Sequence, residues 1–162
     1  MVTLVNQGMG KCGALNPAFA GDRELIDEQR LALKLVLRSP DQVIGLRGGA
    51  GTGKTRLLSE VIRGLEERHS TTVLAPTTAA VEALRKEGLP RAATVQRFLA
   101  DEKFQQDARG SVVVVDEAGL PSGQDLLTLL EWSHAHRSRL LLSGDIRQHA
   151  SIEAGDALRL LE

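Results

Sequence analysis

The chain has 162 residues, of which 42% are hydrophobic and 25% charged, and its formal net charge is −1. These values fit one globular domain and exclude a globally basic surface, so any contact with nucleic acid must be local or shared with another domain. A single cysteine, Cys12, excludes an internal disulfide framework and fits a reducing compartment. No apolar run has the length of a membrane span or of a signal-peptide core, so we expect a cytoplasmic protein without membrane contact.

Glycines and an Asn-Pro pair punctuate residues 1–21, which lack periodicity, and we interpret this stretch as a lead-in or linker to a domain at 22–162. Over 22–37, apolar residues recur every three or four positions, which predicts an amphipathic helix. A Ser-Pro-Asp sequence ends that helix, and the apolar run at 43–46 predicts the first strand.

A glycine-rich stretch, GGAGTGKT at 48–55, lies between this strand and a second helical pattern at 54–68. Strand, glycine loop and helix in that order are the context of a Walker A phosphate-binding loop. Glycines let backbone N–H groups turn inward around a polyphosphate, at the positive end of the helix. Lys54 is predicted to contact the β- and γ-phosphates, and the Thr55 hydroxyl to hold Mg²⁺. The predicted nucleotide-binding residues of this stretch are Gly48, Gly49, Ala50, Gly51, Thr52, Gly53, Lys54, Thr55 and Arg56.

The rest of the chain alternates strands with helices. The patterns predict strands at 71–75, 112–115 and 139–142, a short strand or turn at 93–95, helices at 79–87, 96–100, 123–136 and 153–161, and an exposed loop at 101–110. Thr78 and Ser122 are predicted helix caps, and Gly88 a helix-terminating glycine. The alternation predicts an α/β fold, with a mainly parallel central sheet flanked by helices in three layers.

Polar residues follow two of the predicted buried strands. Asp116 and Glu117 come directly after the four valines at 112–115, where a Walker B pair is expected. We predict that Asp116 holds Mg²⁺, and that Glu117 orients and deprotonates the water that attacks the γ-phosphate. After the strand at 139–142, Gln148 can contact a γ-phosphate oxygen or the attacking water, although the preceding Gly-Asp pair also fits a simple turn.

The succession of Gln29, GGAGTGKT, APTTAA, VVVVDEAG and SGDIRQ resembles five motifs of superfamily 1 DNA helicases, in the same order. DEAG, GDIRQ and the IEAGD that follows most resemble the helicase part of conjugative relaxases, and RecD-type helicases are similar. The resemblance extends from about Leu25 to the last residue. It implies a RecA-like domain that binds Mg-ATP and, in the full-length protein, drives movement on single-stranded DNA.

The resemblance also assigns roles to residues outside the phosphate loop. Gln29 would recognise adenine, and Gln148 would couple the state of the γ-phosphate to the grip on DNA. Ile26 departs from the family, because a capping Thr or Ser usually stands there. Superfamily 1 helicases hydrolyse ATP between two RecA-like domains, and no second domain follows the third motif here. We therefore expect a first motor domain alone, which hydrolyses ATP slowly without the arginines of the second domain.

Two short segments are expected to contact single-stranded DNA. Pro76, Thr77 and Thr78 match a motif that binds the backbone, where hydroxyl and N–H groups suit phosphates, although without the resemblance these threonines would be read as a helix cap. Gln96 and Arg97 match a second motif in which relatives usually have histidine at the first position. Arginines and lysines from Arg85 to Arg97 fit either a local phosphate-binding strip or a solvated helix end.

Other functions fit the same motifs. A stand-alone PhoH-like ATPase also carries a glycine loop, an Asp-Glu pair and a GDxxQ-type element, whereas a phosphotransferase would need a lid or acceptor site that the sequence does not indicate. A nucleotide-dependent scaffold would use the face that a second domain otherwise covers. Phe98 and Trp132 fit base stacking, but aromatic side chains on apolar helix faces more often belong to the core.

Overall fold

The computed structural model describes residues 1–47 and 53–144, which form seven helices and five strands. The helices are α1 (Val2–Gln7), α2 (Asp27–Arg38), α3 (Lys54–Glu66), α4 (Thr78–Lys86), α5 (Val95–Ala100), α6 (Glu102–Asp107) and α7 (Gly123–Ala135). The strands are β1 (Val43–Arg47), β2 (Thr71–Ala75), β3 (Ala93–Thr94), β4 (Val112–Val115) and β5 (Arg139–Gly144). Within these ranges, every helix is too short or too polar to cross a membrane. The helix predicted at 153–161 lies outside the described residues.

The five strands form one parallel sheet in the order β1-β5-β4-β2-β3. Every residue of β4 and β5 is buried, which explains why their sequences are apolar without alternation. Because all strands point the same way, the residues that follow them line one edge of the sheet, in the sheet's own order. We call this edge the carboxyl edge and the opposite one the amino edge.

Helices cover both faces of the sheet, and two hydrophobic clusters fill the space between the layers. On one face, α2, α3 and α4 pack on strand residues that include Ile44, Val73 and Val114. On the other face, α5 and α7, with α1 and α6 at the margin, pack on residues that include Val113 and Leu140. Side chains that follow one another along a strand therefore pack into opposite clusters, which confirms the predicted three-layer α/β fold.

Capping side chains fix where α4 and α7 begin. Thr77, not Thr78, caps α4, because its Oγ1 accepts the N–H of Ala80 at 3.1 Å, so the predicted cap was one residue out of register. The Ser122 Oγ accepts the N–H of Asp125 at 3.1 Å, as predicted. Gly88 ends α4 with a φ of +97°, which confirms a helix-terminating glycine in the left-handed region.

The segment predicted as an exposed loop at 101–110 contains α6, so that prediction is wrong. Asp101 caps the helix by accepting the N–H of Phe104 at 3.0 Å. The ring of Phe104 packs edge-on against Phe98, with 5.2 Å between ring centres, and Phe98 meets Trp132 in the same way at 4.9 Å. Phe98 and Trp132 are buried in the core, as expected. The Gln105 side chain adds hydrogen bonds to the carbonyls of Phe98 and Leu99 at 3.0 Å each, so tertiary contacts hold this short, mostly polar helix.

Residues 1–21 pack against the rest of the domain. Leu15 is buried in the first cluster, and the Asn16 side chain donates to the Gly64 carbonyl of α3 at 2.8 Å. A Cβ at Gly64 would lie 2.7 Å from the Phe19 ring, so the missing side chain allows this close approach. These anchors are single residues without a period, which is why the sequence indicated only a lead-in. The domain boundary at residue 22 stays a prediction.

Arg139, the first residue of β5, ties this N-terminal segment to the sheet. Its guanidinium donates to the carbonyl groups of Gly13 at 2.7 Å, Ser39 at 2.8 Å and Asp41 at 2.7 and 3.0 Å. Burial lowers the pKa of Arg139, and the nearby Cys12 and Asp41 act in the opposite direction. The four hydrogen bonds offset the cost of burying the charge.

Candidate nucleotide site

The site begins where α3 starts. β1 ends at Arg47 and α3 begins at Lys54, so a strand and a helix flank the glycine-rich stretch as predicted. Gly48, Gly49, Ala50, Gly51 and Thr52 lie outside the described residues. Gly53 precedes the helix with a φ of +70°, a left-handed conformation that favours glycine. Lys54 and Thr55 therefore occupy the first turn of a 13-residue helix, whose unpaired N–H groups favour an anion.

Gln29 joins the start of α2 to this loop. Its Oε1 accepts the N–H of Ile26 at 3.3 Å, and its Nε2 donates to the carbonyl of Gly53 at 3.4 Å. The Ile26 side chain has no polar atom with which to cap α2, so the amide of Gln29 supplies half of the cap instead. A Cβ at Gly53 would collide with Nε2 of Gln29. Gln29 thus lies beside Gly53, while its recognition of adenine stays a prediction.

Arg56 is held by acidic residues from the segment before α2. Its guanidinium lies 2.8 Å from the Glu24 carboxylate and 3.5 Å from that of Asp22. The hydrogen bond with Glu24 raises the pKa of Arg56. The backbone N–H of Glu24 is the main cause that lowers the pKa of Asp22. Sequence reasoning missed this pairing because the partners are 32 and 34 residues apart, and the predicted contact of Arg56 with nucleotide stays a prediction.

The Asp-Glu pair occupies a turn that follows β4 on the carboxyl edge. Glu117 has a φ of +50°, which costs a non-glycine residue about 1–2 kcal/mol. Two hydrogen bonds hold this turn: Ala118 N–H donates to Ser143 of β5 at 2.8 Å, and Leu120 N–H to Glu117 at 2.9 Å. Strained backbone that its neighbours enforce is common at functional sites. Sequence analysis could not predict this strain, because nothing in Glu-Ala-Gly requires a glutamate with a left-handed backbone conformation.

Asp116 presents an acceptor that the described residues leave unused. Its backbone N–H bonds to the Leu74 carbonyl at 2.8 Å, but its Oδ1 is buried and has no hydrogen-bond partner within the described ranges. The Ser143 hydroxyl, on the adjacent strand, is likewise buried without a partner there. A carboxylate oxygen in this condition fits a metal ion or a metal-bound water. Gln148, the further residue predicted for this region, lies outside the described residues.

The residues predicted to contact DNA follow the next two strands. Pro76, Thr77 and Thr78 come after β2, and both threonines are exposed although the Thr77 hydroxyl also caps α4. Gln96 and Arg97 lie on α5, directly after β3, and are exposed as well. The sheet order therefore separates two groups: the described residues predicted to bind nucleotide, Gln29 apart, follow β1 and β4, whereas the residues predicted to contact DNA follow β2 and β3.

Comparison with known proteins identifies the class of this fold and site. A family model described as an AAA domain matches residues 24–162, and the chain belongs to that family. This match and the relatives given next agree with a RecA-like motor domain of superfamily 1.

Three relatives from curated proteins illustrate this relationship. The chain is 29% identical to the multifunctional conjugation protein TraI of Escherichia coli strain K12, over 85% of this chain and 8% of TraI. It is 30% identical to the probable conjugal transfer protein TraA of Sinorhizobium fredii, over 91% of this chain and 14% of TraA. It is 35% identical to the RecBCD enzyme subunit RecD of Mycobacterium tuberculosis, over 82% of this chain and 28% of RecD. The chain thus spans less than a third of each of these relatives.

Proposed function

We propose that this chain is the ATP-binding motor domain of a DNA helicase, in which ATP hydrolysis drives movement on single-stranded DNA. The observation that carries the proposal is the juxtaposition of two elements on the carboxyl edge. Lys54 and Thr55 open α3 at one strand end, and Asp116 and Glu117 follow β4, two strands away across β5. Neighbouring strands are about 4.8 Å apart, so a nucleoside triphosphate bound at the start of α3 can reach both the Lys54–Thr55 pair and the Asp116–Glu117 pair.

Each residue at this edge then has a chemical task. Lys54 neutralises charge on the β- and γ-phosphates, and the α3 terminus donates N–H groups to them. Glu117 accepts a proton from the water that attacks the γ-phosphorus, while the bond to the ADP oxygen breaks. The enforced backbone of Glu117 fixes the direction in which its side chain leaves the turn, without help from substrate.

A magnesium ion fits the donor set that we propose for it. Thr55 and Asp116 would hold it, since a hydroxyl and a buried carboxylate oxygen without a partner among the described residues are hard oxygen ligands. When bound, Mg²⁺ supplies positive charge to the phosphates during transfer. Arg56 is paired with Glu24 in an exposed ion pair, so the contact with nucleotide that we propose for it would exchange this carboxylate for a phosphate.

We propose that single-stranded DNA runs across the ends of β2 and β3. Thr77, Thr78, Gln96 and Arg97 offer exposed hydroxyl, amide and guanidinium groups there. Gln148 would report the presence of the γ-phosphate to this surface. TraI and TraA are named for conjugation and RecD for the RecBCD enzyme, which supports an origin in DNA processing. The same likeness supports a cytoplasmic protein in which a second RecA-like domain completes the ATP site.

The test is to measure ATP binding and hydrolysis by the chain, with and without single-stranded DNA, beside Lys54→Ala and Glu117→Gln. We expect Lys54→Ala to lose ATP affinity. Glu117→Gln should retain affinity and lose whatever turnover the wild-type chain has. An arginine from a second domain is worth about 10³–10⁵ in rate, so turnover should be slow throughout.

Brisk turnover that DNA leaves unchanged would contradict the proposal and favour a stand-alone PhoH-like ATPase. Binding of ATP without DNA affinity, and without any response to an added second motor domain, would favour a nucleotide-dependent scaffold. Equal ATP affinity of Lys54→Ala and the wild-type chain would contradict the proposed nucleotide site itself.

A further inference from the structure

A groove of about 380 Å³ lies along the outer edge of the sheet, beside β3. We call it the edge groove. The loop between α4 and β3 forms one wall, and α5 and α6 form the other. Its charged lining residues are Arg85, Arg91, Arg97, Asp101, Lys103 and Asp107. Four cations and two carboxylates line it, so the groove is net positive although the whole chain carries −1.

The cations of this groove are not neutralised by the acidic groups beside them. Arg91, Arg97 and Lys103 form no salt bridge with any residue of the described ranges. Asp101 is instead engaged as the cap of α6. Four cations against two carboxylates leave a net positive charge in the groove, which attracts an extended anion.

Part of this positive wall is preorganised. The Arg85 guanidinium donates twice to the buried carbonyl of Ala92, at 3.0 and 3.2 Å, which fixes its position. The Arg97 guanidinium lies 5.8 Å from the centre of the Phe104 ring, so a cation–π contact orients it as well. Cations that are already ordered lose less conformational entropy when they bind an anion.

We propose that the edge groove binds the sugar-phosphate backbone of single-stranded DNA, through Arg91 and Lys103. The inference rests on the proposed function and extends the path of the single-stranded DNA beyond Pro76–Thr78, past the outer side of β3. Continuity supports this assignment, because Arg97 belongs both to the groove and to the α5 segment that the proposed function assigns to DNA. Arg91 and Lys103 lie in elements to which the five motifs assign no role.

The experiment measures the affinity of the chain for an oligo-dT of about 16 nucleotides at several salt concentrations. The test variant is Arg91→Gln/Lys103→Gln. Its matched control, Lys34→Gln/Arg38→Gln, removes the same two charges from exposed positions on α2. A charge-preserving variant, Arg91→Lys/Lys103→Arg, should behave like the wild-type chain. Thr77→Ala/Thr78→Ala tests the proposed DNA segment separately, and ATP affinity is measured for every variant.

We expect the test variant to lose about tenfold in affinity at low salt and to lower the slope of log affinity on log salt by about 1.4, since each contact with single-stranded DNA contributes about 0.7. The control should match the wild-type chain, and ATP affinity should be unchanged. If the test variant and the control behave alike, the groove inference is overturned while loss in the threonine variant still supports the proposed function. Absence of DNA binding by the wild-type chain at low salt would also overturn it. Polyglutamate serves as an acidic polymer without phosphates, and an equal loss of affinity of the test variant for polyglutamate and for oligo-dT would overturn it too. ATP binding judges the motor proposal independently.

Discussion

The two edges of the sheet treat buried polar groups in opposite ways. On the amino edge, the Arg139 guanidinium donates hydrogen bonds to the backbone carbonyls of three residues, and the Gln42 side chain donates to the carbonyls of Ser133 and Ser138 at 3.0 Å each. On the carboxyl edge, Asp116 Oδ1 and Ser143 Oγ are buried without partners among the described residues. Thr71 Oγ1, at the amino end of β2, and Trp132 Nε1, in the last turn of α7 before β5, are exceptions, because they also lack a partner there.

This difference assigns distinct tasks to the two edges. Hydrogen bonds on the amino edge connect segments that are far apart in sequence, so they stabilise the fold. Unused acceptors on the carboxyl edge cost stability and are retained where a ligand supplies the missing partner. One sheet can therefore carry stability at one edge and chemistry at the other. Substitutions on the two edges should affect different measurements.

The largest expected effect is on the amino edge. Arg139→Gln leaves carbonyl groups without their charged donor, and we expect it to lower the free energy of unfolding by about 2–4 kcal/mol, measured by urea denaturation. Arg137→Gln, which removes the same charge from an exposed position two residues away, should change it little. At temperatures where the variant is folded, its ATP affinity should be that of the wild-type chain. Equal stability of the two variants would break the contrast between the edges.

A smaller effect tests the strained backbone. Glu117 and Arg137 are the two non-glycine residues with positive φ in the described part of the chain, at +50° and +53°. Replacing either by glycine relieves strain, partly offset by the greater entropy of the unfolded chain, so each should gain about 1 kcal/mol in unfolding free energy. Only Glu117→Gly should lose ATP turnover. Similar turnover in the two glycine variants would show that Glu117 is not the base that we propose.

The smallest effect concerns pH. The folded chain lowers the pKa of Asp22 below its ordinary 3.8, mainly through the backbone N–H of Glu24. A carboxyl with a depressed pKa adds stability above its unfolded pKa and loses it as the pH falls through the folded value. Wild type should therefore exceed Asp22→Asn in stability at pH 7, and the gap should narrow at a second pH well below 4, where the carboxyl of the folded chain becomes protonated. Urea midpoints measured at both pH values test this, and a gap that does not change with pH would contradict it.

Much of the fold was predictable because its strongest elements are periodic or continuous. The four valines of β4 and the helical period of α2 and α3 are local signals. The structure has β4 and α3 where they were predicted, whereas α2 begins at Asp27, five residues later than predicted. Single anchors carry no period. The contact of Phe104 with Phe98 and the packing of Phe19 on Gly64 therefore exist only in the folded chain, and no pattern in the sequence predicts them. The cap at Thr77 was missed for a smaller reason, since adjacent threonines offer the same hydroxyl.

The candidate site was predictable only as a set of residue types. The motifs pointed to Asp116 and Glu117, but the buried, unused oxygen and the left-handed backbone depend on neighbours from β5. The interaction of Gln29 with Gly53 and of Arg56 with Glu24 joins positions more than 20 residues apart. Such pairings arise from tertiary packing, so no local pattern in the sequence carries them.

The placement of β5 between β1 and β4 has a consequence for how the chain is made. Asp41 and Arg139 are hydrogen-bonded although they are 98 residues apart, and β1 pairs only with β5 among the described strands. At synthesis rates of about 5–20 residues per second, β1 waits roughly 5–20 seconds on the ribosome for its partner. Until then its backbone N–H and C=O groups have no strand with which to pair, and sheets of such long-range contacts fold slowly. Among the described strands, the one that precedes the glycine-rich stretch is thus the most exposed to wrong partners during biosynthesis.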